Sequence, residues 1–215
     1  MHLVLAPATG NADAWVLQPA DAAGAPTAPS AVVPEAEMAD AVARAEQRPV
    51  RWVWDRTRET YGRLLASGIS VERSHDLTLS REIVRNSEFA AETPYIKELR
   101  SRRPEDEPDL APRQLLPMAP APDQGSLFEG LDGAETLDPR SRQQTRTVEE
   151  LTEELQDQLA AVAGSSERRR LTLLLAAESA GGLVAAEMEH AGIPWRRDLH
   201  EAMLQEQLGP RPPEG

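Results

Sequence analysis

The chain contains no cysteine, which excludes a disulfide framework, a thiol nucleophile and any thiolate metal site, and fits a reducing cytoplasm. It also lacks long apolar runs. The longest, around Leu171 to Ala177, falls well short of the roughly 20 residues that span a bilayer, and no charged region followed by an apolar core opens the chain. A soluble protein with no membrane partner and a cytoplasmic location is therefore expected. There is no glycine-rich phosphate loop, because Gly181-Gly182 lies inside a helical pattern with no Lys-Ser/Thr after it. His2, His75, His190 and His200 are scattered without metal-ligand spacing, so no metal site is expected. Positive charge is short as well. A net charge of -13 counts against nucleic-acid binding, since phosphate neutralisation supplies most non-specific affinity. The distribution softens that objection: Arg51 to Arg103 carries 11 Lys or Arg against 8 Asp or Glu, whereas Pro104 to Pro139 carries 9 acids against Arg113 alone.

What is present divides into three stretches. In the first, Met1 to Leu5 and Ala14 to Leu17 are apolar runs separated by Thr9-Gly10-Asn11, the pattern of a strand hairpin. Asp21 to Val33 reads as loop, and Glu35 to Gln47 as a helix with Met38, Val42 and Ala45 on one side. Val50 to Trp54 alternates like a half-buried strand, and Asp55 can cap a helix whose Tyr61, Leu64 and Leu65 face inward and which Gly68 closes. Ile69 and Val71 suggest another strand, and Asp76 precedes a helix carrying Leu79, Ile83 and Val84. Residues 1–103 thus read as a layered α/β domain. Burial in that core is the reading favoured for Trp52 and Trp54 over base stacking.

The second stretch, 104–146, is rich in Pro and acid, without periodicity, and reads as a disordered linker. The third, 147–215, is helical. Leu151, Leu155 and Leu159 recur at steps of four, Gly164-Ser165-Ser166 breaks the pattern, and Leu171 to Gly192 forms one amphipathic helix. Leu174, Ala177, Gly181, Val184 and Met188 make a stripe along it. Its small residues, including Gly181 and Gly182, allow another element to approach closely, which offsets a glycine cost of about 1 kcal/mol each. Gly192 can end that helix in a left-handed conformation before Pro194. Asp198 is the expected N-cap of a last helix carrying Leu199, Met203 and Leu204.

The runs RWVWDRTRETYGRLLASGISVERSHDLTLS and AAESAGGLVAAEMEHAGIPWRRDLHEAML resemble the amino-terminal part of actinobacterial family A DNA polymerases, the bifunctional 3′ to 5′ exonuclease/DNA polymerases. The resemblance covers most of the chain outside 104–146. It implies a ribonuclease H-like exonuclease domain, a linker and the helical start of a polymerase thumb, with DNA as partner and Mg²⁺ as the metal of the full-length family. The family's exonuclease holds two metal ions on four carboxylates, and this chain departs from that pattern. The region of the first Asp-x-Glu holds only Asp13, the second motif falls near Arg56 and Thr60, and the last near Glu149. Asp76 matches a family aspartate, but its N-cap reading is favoured. The resemblance thus implies a degenerate exonuclease domain with no catalytic residue of its own and no metal bound. The polymerase carboxylates would lie further on, so the chain is expected to be an amino-terminal fragment that does not polymerise alone.

Gln124-Gly125-Ser126-Leu127-Phe128 is similar to the bacterial sliding-clamp-binding pentapeptide, with Gln124 as the hydrogen-bonding residue and Leu127 and Phe128 as the apolar anchors. Chance in a Pro-Ala-Gly linker explains it about equally well. Arg168, Arg169, Arg170, Arg196 and Arg197 bracket the long helix and could meet DNA phosphates, although a solvated rim is the commoner role. Two other classes stay open: a non-catalytic interaction module that binds the clamp through Gln124 to Phe128, and a stand-alone α/β nuclease.

Overall fold

A computed structural model of the protein describes residues 1–11, 13–101, 146–192 and 197–209. The opening apolar runs form the expected hairpin. β1 (His2–Pro7) and β2 (Ala14–Ala20) pair antiparallel with Leu5 opposite Leu17. The stretch expected to be loop holds one further strand, β3 (Ala31–Pro34), antiparallel to β2. It lies at the edge of the sheet and is mostly exposed. An edge strand pairs on one side only, so an Ala-Pro-rich composition can supply it without the apolar pattern that marks a central strand.

α1 (Met38–Ala45) buries Met38 and Val42 as expected, and β4 (Arg51–Trp54) follows it. β4 runs parallel to β1, and β5 (Ser74–Asp76) parallel to β4, so the sheet order is β3-β2-β1-β4-β5. This is a mixed α/β protein. β4 is not half-buried: Trp52, Val53 and Trp54 are all fully buried, because a central parallel strand is covered on both faces. The last strand is also displaced from its expected place. Ile69 and Val71 are buried in irregular chain, and the strand proper is the polar tripeptide Ser74-His75-Asp76.

α2 (Thr57–Ala66) joins β4 to β5, and Gly68 follows it at a φ of 73°. Asp55 does not cap it, since the N-cap is Arg56, whose side chain makes no capping bond. Asp76 does that work from the end of β5. Its Oδ2 accepts from the Thr57 amide at 2.7 Å and its Oδ1 from the Leu79 amide at 2.8 Å, at the start of α3 (Leu77–Asn86). One carboxylate thus satisfies first-turn donors of two helices. Burial pushes the Asp76 carboxyl above its ordinary value, against the pull of those two amides.

α4 (Pro94–Ser101), α5 (Val148–Ala163), α6 (Arg168–Ala191) and α7 (Arg197–Leu208) complete the described chain. Strand periodicity sends Leu3, Leu5, Trp52 and Trp54 to one side of the sheet, where Leu183 and Ala186 of α6 join them. Val4, Ala6 and Val53 face the other way, against Val148, Leu151 and Leu155 of α5. Residues 1–101 and 146–192 therefore pack into common clusters, and the stretch expected to be a linker lies, up to residue 145, outside the described residues. The indoles of Trp15, Trp52 and Trp54 are buried with their donors paired, to Glu35, Glu46 and Thr57 respectively. Burial, rather than base stacking, is the role of Trp52 and Trp54.

α6 turns a different side inward from the one its stripe suggested. Leu174, Ala177, Gly181, Val184 and Met188 are exposed, while Leu171, Leu175, Ser179, Leu183 and Ala186 are buried. The helix carries apolar residues nearly all round, so periodicity alone could not select the face. Its partner selected it. β5 is a sheet edge, and Ser179 Oγ takes the Asp76 amide at 3.1 Å while its carbonyl takes the Ser74 hydroxyl at 3.2 Å. Close approach is confined to Gly182, where an added Cβ would lie 3.4 Å from Thr57 Oγ1; at Gly181 it would meet nothing within 4 Å.

By length and composition alone this 24-residue helix is long and apolar enough to cross a membrane, a test that the core helix of a soluble protein also passes. Its inner face is nonetheless packed into the protein's own core. Gly192 follows it at φ 74° and ψ 163°, a positive φ but with an extended rather than left-handed helical ψ. In α7, Asp198 is the second helical residue rather than the N-cap, and Leu199, Met203 and Leu204 are exposed.

Candidate functional site

β4 delivers Asp55 to the carboxyl end of the sheet. The β1–β4 register pairs Val4 with Val53, so two residues on Ala6 lies beside Asp55. α3 and α5 cross this end, and each brings a charged side chain on the face that otherwise packs the core. Arg81 shares the buried side of α3 with Leu77 and Val84, and Glu154 precedes buried Leu155 on α5. The chain entering α5 adds Arg146.

The four groups form one network. Arg81 grips Glu154 with two donors, Nε to Oε1 at 2.6 Å and Nη2 to Oε2 at 2.7 Å. Arg146 bridges Glu154 Oε2 at 2.6 Å and Asp55 Oδ1 at 3.0 Å. Tyr95 and Gln158 also donate to Glu154 Oε1, at 3.0 and 2.8 Å. The Glu154 and Arg81 side chains are only 10% and 11% exposed, so these are charge-assisted bonds in a poorly hydrated place. Burial alone would raise the Glu154 carboxyl, but the two guanidiniums more than reverse it and hold it below its ordinary value. For Arg81 burial pulls down and Glu154 pulls up harder, leaving its pKa raised.

The network continues inward. Gln158 donates through Nε2 to Glu154 and to the Leu77 carbonyl, so its Oε1 is left to accept, and His75 Nε2 lies 2.9 Å from it. His75 is therefore the Nε2–H tautomer and neutral, with burial lowering its pKa to about 4.

Two arginines and two carboxylates sum to zero formal charge. A divalent cation needs carboxylate oxygens free of competing cations, and here both acids already engage guanidinium groups that would repel one. Among the described residues no three of His, Cys, Asp and Glu cluster in a way that could hold a metal. The carboxylates of this cluster thus serve guanidinium groups rather than standing open to a divalent cation.

The positions that resemblance singled out are not brought together. Asp13 is exposed at the start of β2, Arg56 precedes α2, Thr60 is buried within it, and Glu149 is exposed in the first turn of α5. Arg168, Arg169 and Arg170 are exposed at the start of α6, with Arg170 5.4 Å above the Phe89 ring. Arg197 begins α7, and Arg196 lies outside the described residues. Gln124, Leu127 and Phe128 also lie outside the described residues. The network escaped sequence reading although it left a signal, since Arg81, Glu154 and Gln158 occupy inward positions of otherwise apolar helical stripes.

The fold is that of a mixed α/β protein with a buried, charge-balanced cluster at the carboxyl end of its sheet. No protein-family model, curated protein or solved structure matches the chain.

Proposed function

We propose that this chain is the amino-terminal part of a family A DNA polymerase: a ribonuclease H-like domain without metal-dependent 3′ to 5′ exonuclease activity, serving as a cytoplasmic scaffold ahead of the polymerase. The observation that carries this reading is the Asp55–Arg81–Glu154–Arg146 network. The order β3-β2-β1-β4-β5, with β2 alone antiparallel, supports it, being the arrangement of ribonuclease H-like sheets. In such nucleases the carboxyl ends of the central strands are where carboxylates hold metal ions. Here guanidinium groups stand in that region and balance the acids, which converts a cation site into a structural clamp. Arg168 to Arg170 remain candidates for contact with DNA phosphates, and α6 with α7 for the passage into the thumb.

The test is direct. The purified chain, given Mg²⁺ or Mn²⁺ and an end-labelled single strand, should leave the strand at full length. Metal-dependent shortening that disappears in Glu154→Gln would overturn the reading and favour a nuclease. The pentapeptide of Gln124, Leu127 and Phe128 serves, on the same reading, as a tether to the sliding clamp. Replacing Leu127 and Phe128 by Ala should abolish binding in a titration against purified clamp, and unchanged affinity removes the tether from the proposal.

A further inference from the structure

At the opposite end of the sheet, where β1, β4 and β5 begin, a cavity of about 490 Å³ opens between the strands and the α5–α6 corner. That size suits a small organic ligand and greatly exceeds a bare ion. Its polar lining comes from His2, Arg51, His75, Arg168 and Thr172, and among the described residues no Asp or Glu lines it, in a chain of net charge -13. Leu159, Val162 and Leu175 supply an apolar wall.

Arg51 is the most telling of these residues. It is half-buried, and its Nη1 donates to the Ser74 carbonyl at 2.7 Å. Burial first, then the neighbouring charge of Arg73, depress its pKa. Among the described residues no carboxylate pairs with it in a salt bridge. A guanidinium partly withdrawn from water without a counter-charge costs stability unless an anion arrives to meet it. Arg168, the first residue of α6, is a second arginine lining the same space. Two guanidiniums without an acid match a dianion, and their planar donor sets match phosphoryl oxygens. The hydrocarbon wall matches an organic body attached to that phosphoryl group.

We infer that this cavity binds a small phosphomonoester, with its phosphoryl group on Arg51 and Arg168 and its organic part against Leu159, Val162 and Leu175. The inference does not depend on the polymerase reading. Calorimetric titration of the full chain with deoxyadenosine monophosphate, inorganic phosphate and deoxyadenosine tests it. Saturable one-to-one binding of the monophosphate is expected, weaker binding of phosphate, and none of the nucleoside. Arg51→Gln and Arg168→Gln should each weaken the monophosphate at least tenfold. Arg44→Gln, at an exposed residue that does not line the cavity, should leave it unchanged. Arg168 is exposed, so its variant reports on the site even if Arg51→Gln fails to fold. Absence of saturable monophosphate binding, equal binding of deoxyadenosine, or affinity unchanged in Arg168→Gln would each overturn the site.

Discussion

Glu154→Gln should destabilise the fold by about 3–5 kcal/mol, the range seen when one partner of a buried ion pair is removed and the other is left behind. The amide keeps the size of the side chain, so packing is retained and the loss is electrostatic. Arg81 would remain at 11% exposure with its two bonds to Glu154 weakened. Arg146 would keep Asp55 at 3.0 Å but lose its other acid. The measurement is denaturant unfolding, read as a lower midpoint at unchanged slope. Removing both charges in Arg81→Met/Glu154→Met should recover much of the loss, because an apolar pair pays no desolvation penalty. A single-variant cost under about 1 kcal/mol would place the cluster among weak surface pairs and remove its structural role.

Stability should also fall as pH drops from 6.5 towards 4, and His75 should cause most of the fall. In the unfolded chain its imidazole takes up a proton near pH 6.5, whereas burial in the fold delays protonation to about 4. Across that window the unfolded state binds the extra proton, so stability declines with falling pH by roughly 3 kcal/mol in total. His2, lowered chiefly by burial, acts in the same sense. Asp76 acts oppositely, since burial raises its carboxyl. Glu154, held low by its arginines, contributes stability above its unfolded value that is lost only at still lower pH. His75→Gln, which retains a donor for Gln158, isolates the imidazole: the pH 4–6.5 slope should flatten. A slope identical in wild type and variant would show that His75 is not its source.

The parts legible in the sequence were those that physics writes locally. Thr9-Gly10-Asn11 between apolar runs announced the hairpin, and the Leu151-Leu155 repeat announced α5. Asp76 looked like a helix cap and is one, although its second helix was hidden because Thr57 lies far from it in sequence. The polar strand Ser74–Asp76 was invisible, since its burial is imposed by α6 rather than by its own side chains. α6 itself, apolar on several sides, carried no mark of which side would be chosen. His2, Arg51 and His75 seemed unrelated because only strand register brings them to one cavity.

A last consequence concerns chain connectivity. Val4, Ala6 and Val53 are covered by Val148, Leu151 and Leu155, so the amino-terminal and carboxyl-terminal stretches are two halves of one folding unit. They are joined through residues 102–145, which lie outside the described residues. A protease cut within that join would leave a nicked pair held by its interior, eluting as one species until denaturant parts it.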